Sequence, residues 1–178
     1  MSITQVCSGL QQSNNLSKNI DVHEINKTML KLLPGEEQKF YSIDQVNDND
    51  MRATTKVINK LTPQGMPLHE ISLKTGAIIM LLRNLNPAEG HCNGTRYIVT
   101  NMARHVIEAV IPDGLHKGKV LFIPRIFNTP PKNFTPHMTR IQFPIKLAFA
   151  ITSNKSQGQS LESIDIYLNA GRHIMIMV

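Results

Sequence analysis

The chain has 178 residues, 41% of them hydrophobic, and a formal net charge of +6. That is enough for one globular domain, or a small domain with an insertion, around a sizeable core. Two lone cysteines without ligand spacing exclude a disulfide framework and give no zinc pattern, and no apolar run nears the roughly 20 residues that cross a bilayer.

Residues 1–15 are polar and aperiodic, and read as a loose end without the basic start and apolar stretch of a signal peptide. Asp21 and Glu24 form a capping-box pattern, and Val22, Ile25, Met29, Leu32 and Leu33 recur at helical spacing. That helix should stop at Leu33, because Pro34 disfavours helical backbone in the residue before it. Residues 41–60, with Asp44, Asp48 and Asp50 among amides, read as a solvated surface connection. Pro63, Gly65 and Pro67 mark a turn-rich entry to a β region.

From Gly76 to Phe127 the pattern is strand-like. Ala77–Leu82 is continuously apolar, as in a strand buried on both faces, and Asn93-Gly94 is a turn signal. Tyr97–Val99, Val106–Ile111 and Val120–Ile123 supply further short strands, with turns at Asp113-Gly114 and Lys117-Gly118. Strands so spaced suggest a small barrel or curled sheet. Pro130, Pro131 and Pro136 make 128–140 a return linker. Phe122, Phe143 and Phe149 fall on predicted strands, where core packing is the natural role.

Charge is uneven. Residues 1–70 hold 7 Lys+Arg against 8 Asp+Glu, and residues 71–178 hold 12 against 5. A basic C-terminal part suits a polyanionic partner, although many proteins with such a balance bind none. The most informative stretch is Leu147-Ala-Phe-Ala-Ile-Thr-Ser-Asn-Lys-Ser-Gln-Gly-Gln-Ser-Leu161. A largely apolar run from Ile145 to Ile151 breaks into hydroxyls, amides and a lysine, and a second strand follows at Ile164–Leu168. A polar turn at the carboxyl end of a buried strand suits a phosphate, of a nucleotide or of a nucleic-acid backbone. By composition alone it equally suits an ordinary strand-to-helix loop.

This stretch resembles motif V of superfamily-one helicases, in the Thr-x-Asn/His-Lys-Ser-Gln-Gly form of the Pif (petite integration frequency) type, and Asn154 is closer to the Helitron transposon variant. The resemblance extends to Leu61-Thr-Pro-Gln-Gly-Met-Pro67, Leu73–Asn86, Cys92-Asn-Gly-Thr-Arg96, Lys117-Gly-Lys119 with Phe122–Ile126, and Gln142-Phe-Pro144. Upstream, Asn19–Asn26 and Leu33-Pro-Gly35 fit as well, so it runs from about Leu16 to Leu168.

The fold implied is α/β with a β insertion: a partial second RecA-like helicase domain carrying a small Src-homology-three-like barrel. Residues 16–60 would begin that domain, 61–127 form the barrel, 128–140 return, and 141–168 complete it with motif V. Residues 169–178 are a non-matching tail. The function implied is that of a C-terminal fragment of an ATP-dependent 5′-to-3′ DNA helicase, serving repair, recombination, telomere upkeep or transposition. Thr152, Asn154, Lys155 and Ser156 would contact single-stranded DNA, and Gln157 and Gly158 would face the nucleotide cleft. Arg96 is a further DNA candidate, or else a solvated strand residue.

ATP and magnesium belong to the full-length family. The sequence lacks the Gly-x-x-x-x-Gly-Lys-Ser/Thr phosphate loop. Its nearest approach, Gly114-Leu-His-Lys-Gly-Lys-Val120, has three residues between the glycines, Val120 where the magnesium-binding hydroxyl belongs, and a place in a predicted hairpin. Arg172 does not match the family's arginine-finger context. Without a first RecA-like domain the chain alone should bind neither ATP nor magnesium and should be inactive. The expected partners are single-stranded DNA and that missing domain, with no membrane. The expected location is intracellular, nuclear with mitochondrial as the alternative. The rival readings are a non-catalytic nucleic-acid-binding module and a truncated transposon remnant.

Overall fold

A computed structural model describes residues 22–46, 55–131, 133–152, 164–169 and 172–177. The expected loose end 1–15, the capping residue Asp21, and Asp48 and Asp50 lie outside them. In chain order come helix α1 (Val22–Leu32), strands β1 (Gln38–Tyr41) and β2 (Ile43–Val46), and helix α2 (Thr55–Lys60). Strands β3 (Glu70–Leu73), β4 (Ile78–Leu81), β5 (Arg96–Met102), β6 (Val106–Val110) and β7 (Val120–Pro124) follow. Then come β8 (Ile126–Asn128), β9 (Met138–Gln142), β10 (Ile145–Leu147) and β11 (Ala150–Thr152). The last two are β12 (Ile164–Asn169) and β13 (Arg172–Met177).

Two compact units result. One is Pro34–Lys146, and the other joins Met1–Leu33 to Leu147–Val178. The first is β-rich. Its largest sheet has the order β10-β4-β5-β6-β7, and β4–β5, β5–β6 and β6–β7 pair antiparallel. Alternation decides which face is buried: Ile79, Leu81, Tyr97, Val99, Ile107, Ala109 and Ile123 point inward, each 0–1% exposed. The turns expected at 113–118 are there, closed by Gly118 N–H to the Ile111 carbonyl at 2.9 Å. Asn93 and Gly94 are the central residues of a turn closed by Thr95 N–H to the Cys92 carbonyl at 3.0 Å. That turn ends a long β4–β5 connection, because the ladder already closes at Leu81 and Thr95.

A three-stranded sheet, β2-β9-β8, overturns the reading of 41–60 as a solvated connection. Asp44 lies in β2 opposite Arg140, and both side chains are 0% exposed. The sequence hid this because its polarity is inverted. Inward, Asp44, Arg140 and Asn128 form one cross-strand row, and Gln142 lies beside them. Outward, Ile43, Ile141 and Phe127 form another, with Ile43 59% and Phe127 70% exposed. Binary patterning assigns each row to the wrong side.

This unit also reaches beyond 61–127 on both flanks. β1 pairs with β3, β2 with β9, and β10 lies beside β4. Residues 128–140 are likewise more than a linker, since β9 begins at Met138. Pro130, Pro131 and Pro136 do fall outside every strand, as their missing N–H groups require. Of the three aromatics expected inside, Phe143 is fully buried, with Phe40 edge-on at 5.4 Å, and Phe149 is 4% exposed. Phe122 instead faces out at 63% exposure, because Leu121 and Ile123 occupy the alternate positions of β7 and Ile123 takes the inward one.

In the other unit, α1 buries Ile25, Asn26, Met29 and Leu30. Leu32, assigned to the core stripe from spacing, is 49% exposed, because the buried face is centred on the 25/26/29/30 edge. β13 lies between β11 and β12 and is antiparallel to both. The non-matching tail is therefore the central strand, pairing Ile164–Asn169 along its whole length. Among the described residues no helix is long and apolar enough to cross a membrane.

Candidate nucleic-acid interface

The strand leading into the motif V stretch is β11, and its approach is dry: Ala148, Phe149, Ala150 and Ile151 are 0–4% exposed. Asn26 positions it. The carboxamide, 3% exposed, accepts from Ala150 N–H at 3.0 Å and donates to the Ala150 carbonyl at 2.9 Å. It thus acts like one residue of a neighbouring strand, and its second N–H returns to the Val22 carbonyl at 2.8 Å. Both backbone groups of Ala150 are satisfied on that side, as buried backbone requires. Thr152 ends β11, with Ile174 opposite. Asn154, Lys155, Ser156, Gln157 and Gly158 lie outside the described residues.

Arg96 is engaged within the fold. Its guanidinium donates to Asp113 at 2.8 Å, and the side chain is 9% exposed. It is therefore not the solvated strand residue that was one of its expected roles. To reach a phosphate it would have to leave that carboxylate. The Gly114–Val120 stretch occupies the β6–β7 hairpin, with Val120 paired to Val110 on the ladder. A phosphate loop runs from a strand into a helix and directs backbone N–H groups at the anion. This hairpin turns its N–H groups onto its own carbonyls, so these residues do not fit a nucleotide phosphate site.

Within the β-rich unit a polar cluster fixes the geometry. Arg140 spends all five of its N–H donors: two on Asp44 (2.9 and 2.6 Å), and one each on the Leu61, Pro67 and Ile58 carbonyls (3.1, 3.0 and 3.1 Å). Burial alone would raise the Asp44 carboxyl. Hydrogen bonds from Arg140 and Ser42 and the charge of Arg140 overcome that and hold it below the usual carboxylate range. Gln142 donates to the Phe40 and His69 carbonyls, both at 3.0 Å, and accepts from Phe143 N–H and Arg125.

His91, 3% exposed, bonds the Tyr97 hydroxyl through Nδ1 at 2.9 Å. Burial lowers the His91 pKa and raises that of Tyr97 well beyond the ordinary phenol value, so both are neutral core groups near pH 7. Among the described residues no group of three or more His, Cys, Asp or Glu could hold a metal ion.

A β-rich unit is joined in sequence to a strand that runs into the Thr-x-Asn-Lys-Ser-Gln-Gly pattern, whose likeness to a helicase motif is read from the sequence. Comparison with known proteins makes this specific. Residues 56–102 match the family described as DNA helicase Pif1, 2B domain. The ATP-dependent DNA helicase PIF1 of Xenopus laevis is 31% identical over 162 residues, covering 84% of this chain and 22% of that protein. The unliganded Pif1 of a Bacteroides species superposes with a TM-score of 0.54 at 25% identity, covering 80% of this chain and 41% of that one. A structure of two coordinating Pif1 helicases unwinding forked double-stranded DNA gives 0.56 at 25% identity, over 80% and 29%. The chain is a relative of the Pif1-type DNA helicases. It spans about a fifth of the length of the curated relatives it matches.

Proposed function

We propose that this chain is the C-terminal portion of an ATP-dependent 5′-to-3′ DNA helicase: part of a second RecA-like domain, interrupted by a Src-homology-three-like barrel and contributing single-stranded DNA contacts through motif V. The observation that carries this reading is the order along one chain. A 2B-domain match at 56–102 precedes the strand Ala150–Thr152, and that strand runs straight into the motif V residues. Thr152, Asn154, Lys155 and Ser156 would hold DNA phosphates, and Gln157 and Gly158 would face the nucleotide cleft. Lys155 supplies point charge, and hydroxyl and backbone N–H groups supply directed bonds.

ATP and magnesium would act in the whole enzyme, through a first RecA-like domain. Strand separation, nuclear location and a role in repair, recombination, telomere upkeep or transposition belong to that parent protein. The poor fit of Gly114–Val120 to a phosphate loop favours a second reading, a nucleic-acid-binding module without motor activity.

The test is fluorescence anisotropy of labelled single-stranded DNA across a salt series. Three or four phosphate contacts, at roughly 0.7 each, give a log–log salt slope of about −2 to −3. Lys155→Ala should abolish saturable binding. Folded protein that binds no single-stranded DNA at low salt would overturn the reading and leave a transposon-derived remnant as the account.

A further inference from the structure

The motif V reading leaves unused the most exposed large apolar side chain among the described residues. Leu115, at the tip of the β6–β7 hairpin, is 95% exposed. A single exposed leucine is ordinary; its setting is not. Lys117 and Lys119 follow it in the same turn, both exposed, with His116 between Leu115 and Lys117. The acid of this turn, Asp113, is already occupied by Arg96 at 2.8 Å. Among the described residues neither lysine forms an ion pair, so the tip presents uncompensated positive charge around an apolar point.

The tip is also held in shape. Ile111 N–H bonds the Lys119 carbonyl at 3.0 Å, Lys117 N–H the Gly114 carbonyl at 3.1 Å, and Lys119 N–H the His116 carbonyl at 3.1 Å. The His116 ring packs so closely on Gly90 that any side chain there would overlap it. Leu115 therefore protrudes from a braced turn.

We propose that this hairpin tip is a second nucleic-acid contact, with Lys117 and Lys119 on backbone phosphates and Leu115 against the last base pair of a duplex beside a single-stranded tail. Charge complementarity selects a polyanion. An aliphatic side chain has no π face for a single strand to stack on, but it can wedge against or between base pairs, as apolar side chains do when they unstack a step. Glu108 lies opposite Phe122 farther along the ladder, so phosphates are favoured at the tip and disfavoured toward the sheet. This proposal rests on the DNA-binding reading above and adds a contact separate from motif V.

The probe is a duplex with a single-stranded tail carrying 2-aminopurine at the first base pair, compared with the tail alone. Anisotropy across a salt series and 2-aminopurine fluorescence are both read. Lys117→Ala/Lys119→Ala should flatten the salt slope for the tailed duplex by about 2 while leaving the slope for the tail unchanged. Leu115→Ser should remove the fluorescence rise at the junction without changing either slope. All three side chains are solvent-facing, and thermal melts matching the parent chain establish that the variants fold.

Variants that match the parent on both readouts overturn the proposal, and loss of tail binding in Lys155→Ala alone shows that the motif V reading survives it. A parent chain that binds neither probe overturns both. Leucine-dependent binding to vesicles containing anionic lipid, with the junction readouts unmoved, reassigns the tip to a membrane surface.

Discussion

Replacing Arg140 with methionine removes the cation from a site that is 0% exposed and leaves the Asp44 carboxylate buried beside it. Asp44 keeps its 2.6 Å bond from Ser42 but loses both guanidinium bonds. The carbonyls of Ile58, Leu61 and Pro67 lose their Arg140 donors at the same time. Breaking a buried pair by removing one partner costs about 3–5 kcal/mol. For a unit the size of Pro34–Lys146, at about 4 °C per kcal/mol, Tm should fall by about 12–20 °C.

The pH dependence follows from the carboxyl. In the parent chain Asp44 titrates below its unfolded value of about 3.9. Its stabilisation is therefore present above about pH 4 and is lost as pH falls through the folded value. Without Arg140, burial dominates and pushes the carboxyl upward, so Asp44→Asn in the Arg140→Met background should recover part of the loss. Melts followed by circular dichroism from pH 3 to 8 measure all of this. A drop in Tm below about 3 °C, or a loss that stays the same from pH 7 down to pH 3, would refute the claim that this pair holds the unit together.

Two further outcomes follow from buried polar groups. Asn26→Leu strips both side-chain partners from Ala150, at about 1–3 kcal/mol for each orphaned group, and should speed hydrogen exchange at the Ala150 amide; unchanged protection would mean β11 is held by other means. Burial raises the Tyr97 phenol, so an absorbance titration should show a high-pH phenolate component that disappears in Tyr97→Phe. The matching stability is complete below about pH 10 and declines as pH rises toward the folded value; a titration left unchanged by Tyr97→Phe at its high-pH end would refute this.

What could be read from the residues depended on whether apolar side chains marked the inside. β4, β5, β6 and β7 follow that rule, and their strands and turns were legible from periodicity. The helix beginning at Val22 was legible too, but its face was misjudged by one edge, because spacing alone cannot see that Asn26 turns inward to bond a strand 124 residues away in sequence. β2 and β9 were not legible at all, since Asp44, Arg140 and Gln142 occupy core positions and no local signal pairs an aspartate with an arginine 96 residues later. The tail 172–177 was invisible as a sheet member because its partner strands lie on both sides of the motif V stretch in sequence order. For the candidate site, the motif pattern located the residues, while the Arg96–Asp113 pair needed three dimensions to appear.

The inside-out sheet β2-β9-β8 also reverses which substitutions the chain can accept. At Ile43 and Phe127, drastic changes to hydrophilic side chains touch little that is packed. At Asp44, Arg140 and Gln142, even chemically close replacements such as glutamate, lysine or asparagine would leave donors and acceptors without mates. Sequence drift in this part of the family should therefore spare the polar letters and scatter the oily ones, the opposite of what a scale of residue hydrophobicity would rank as the core.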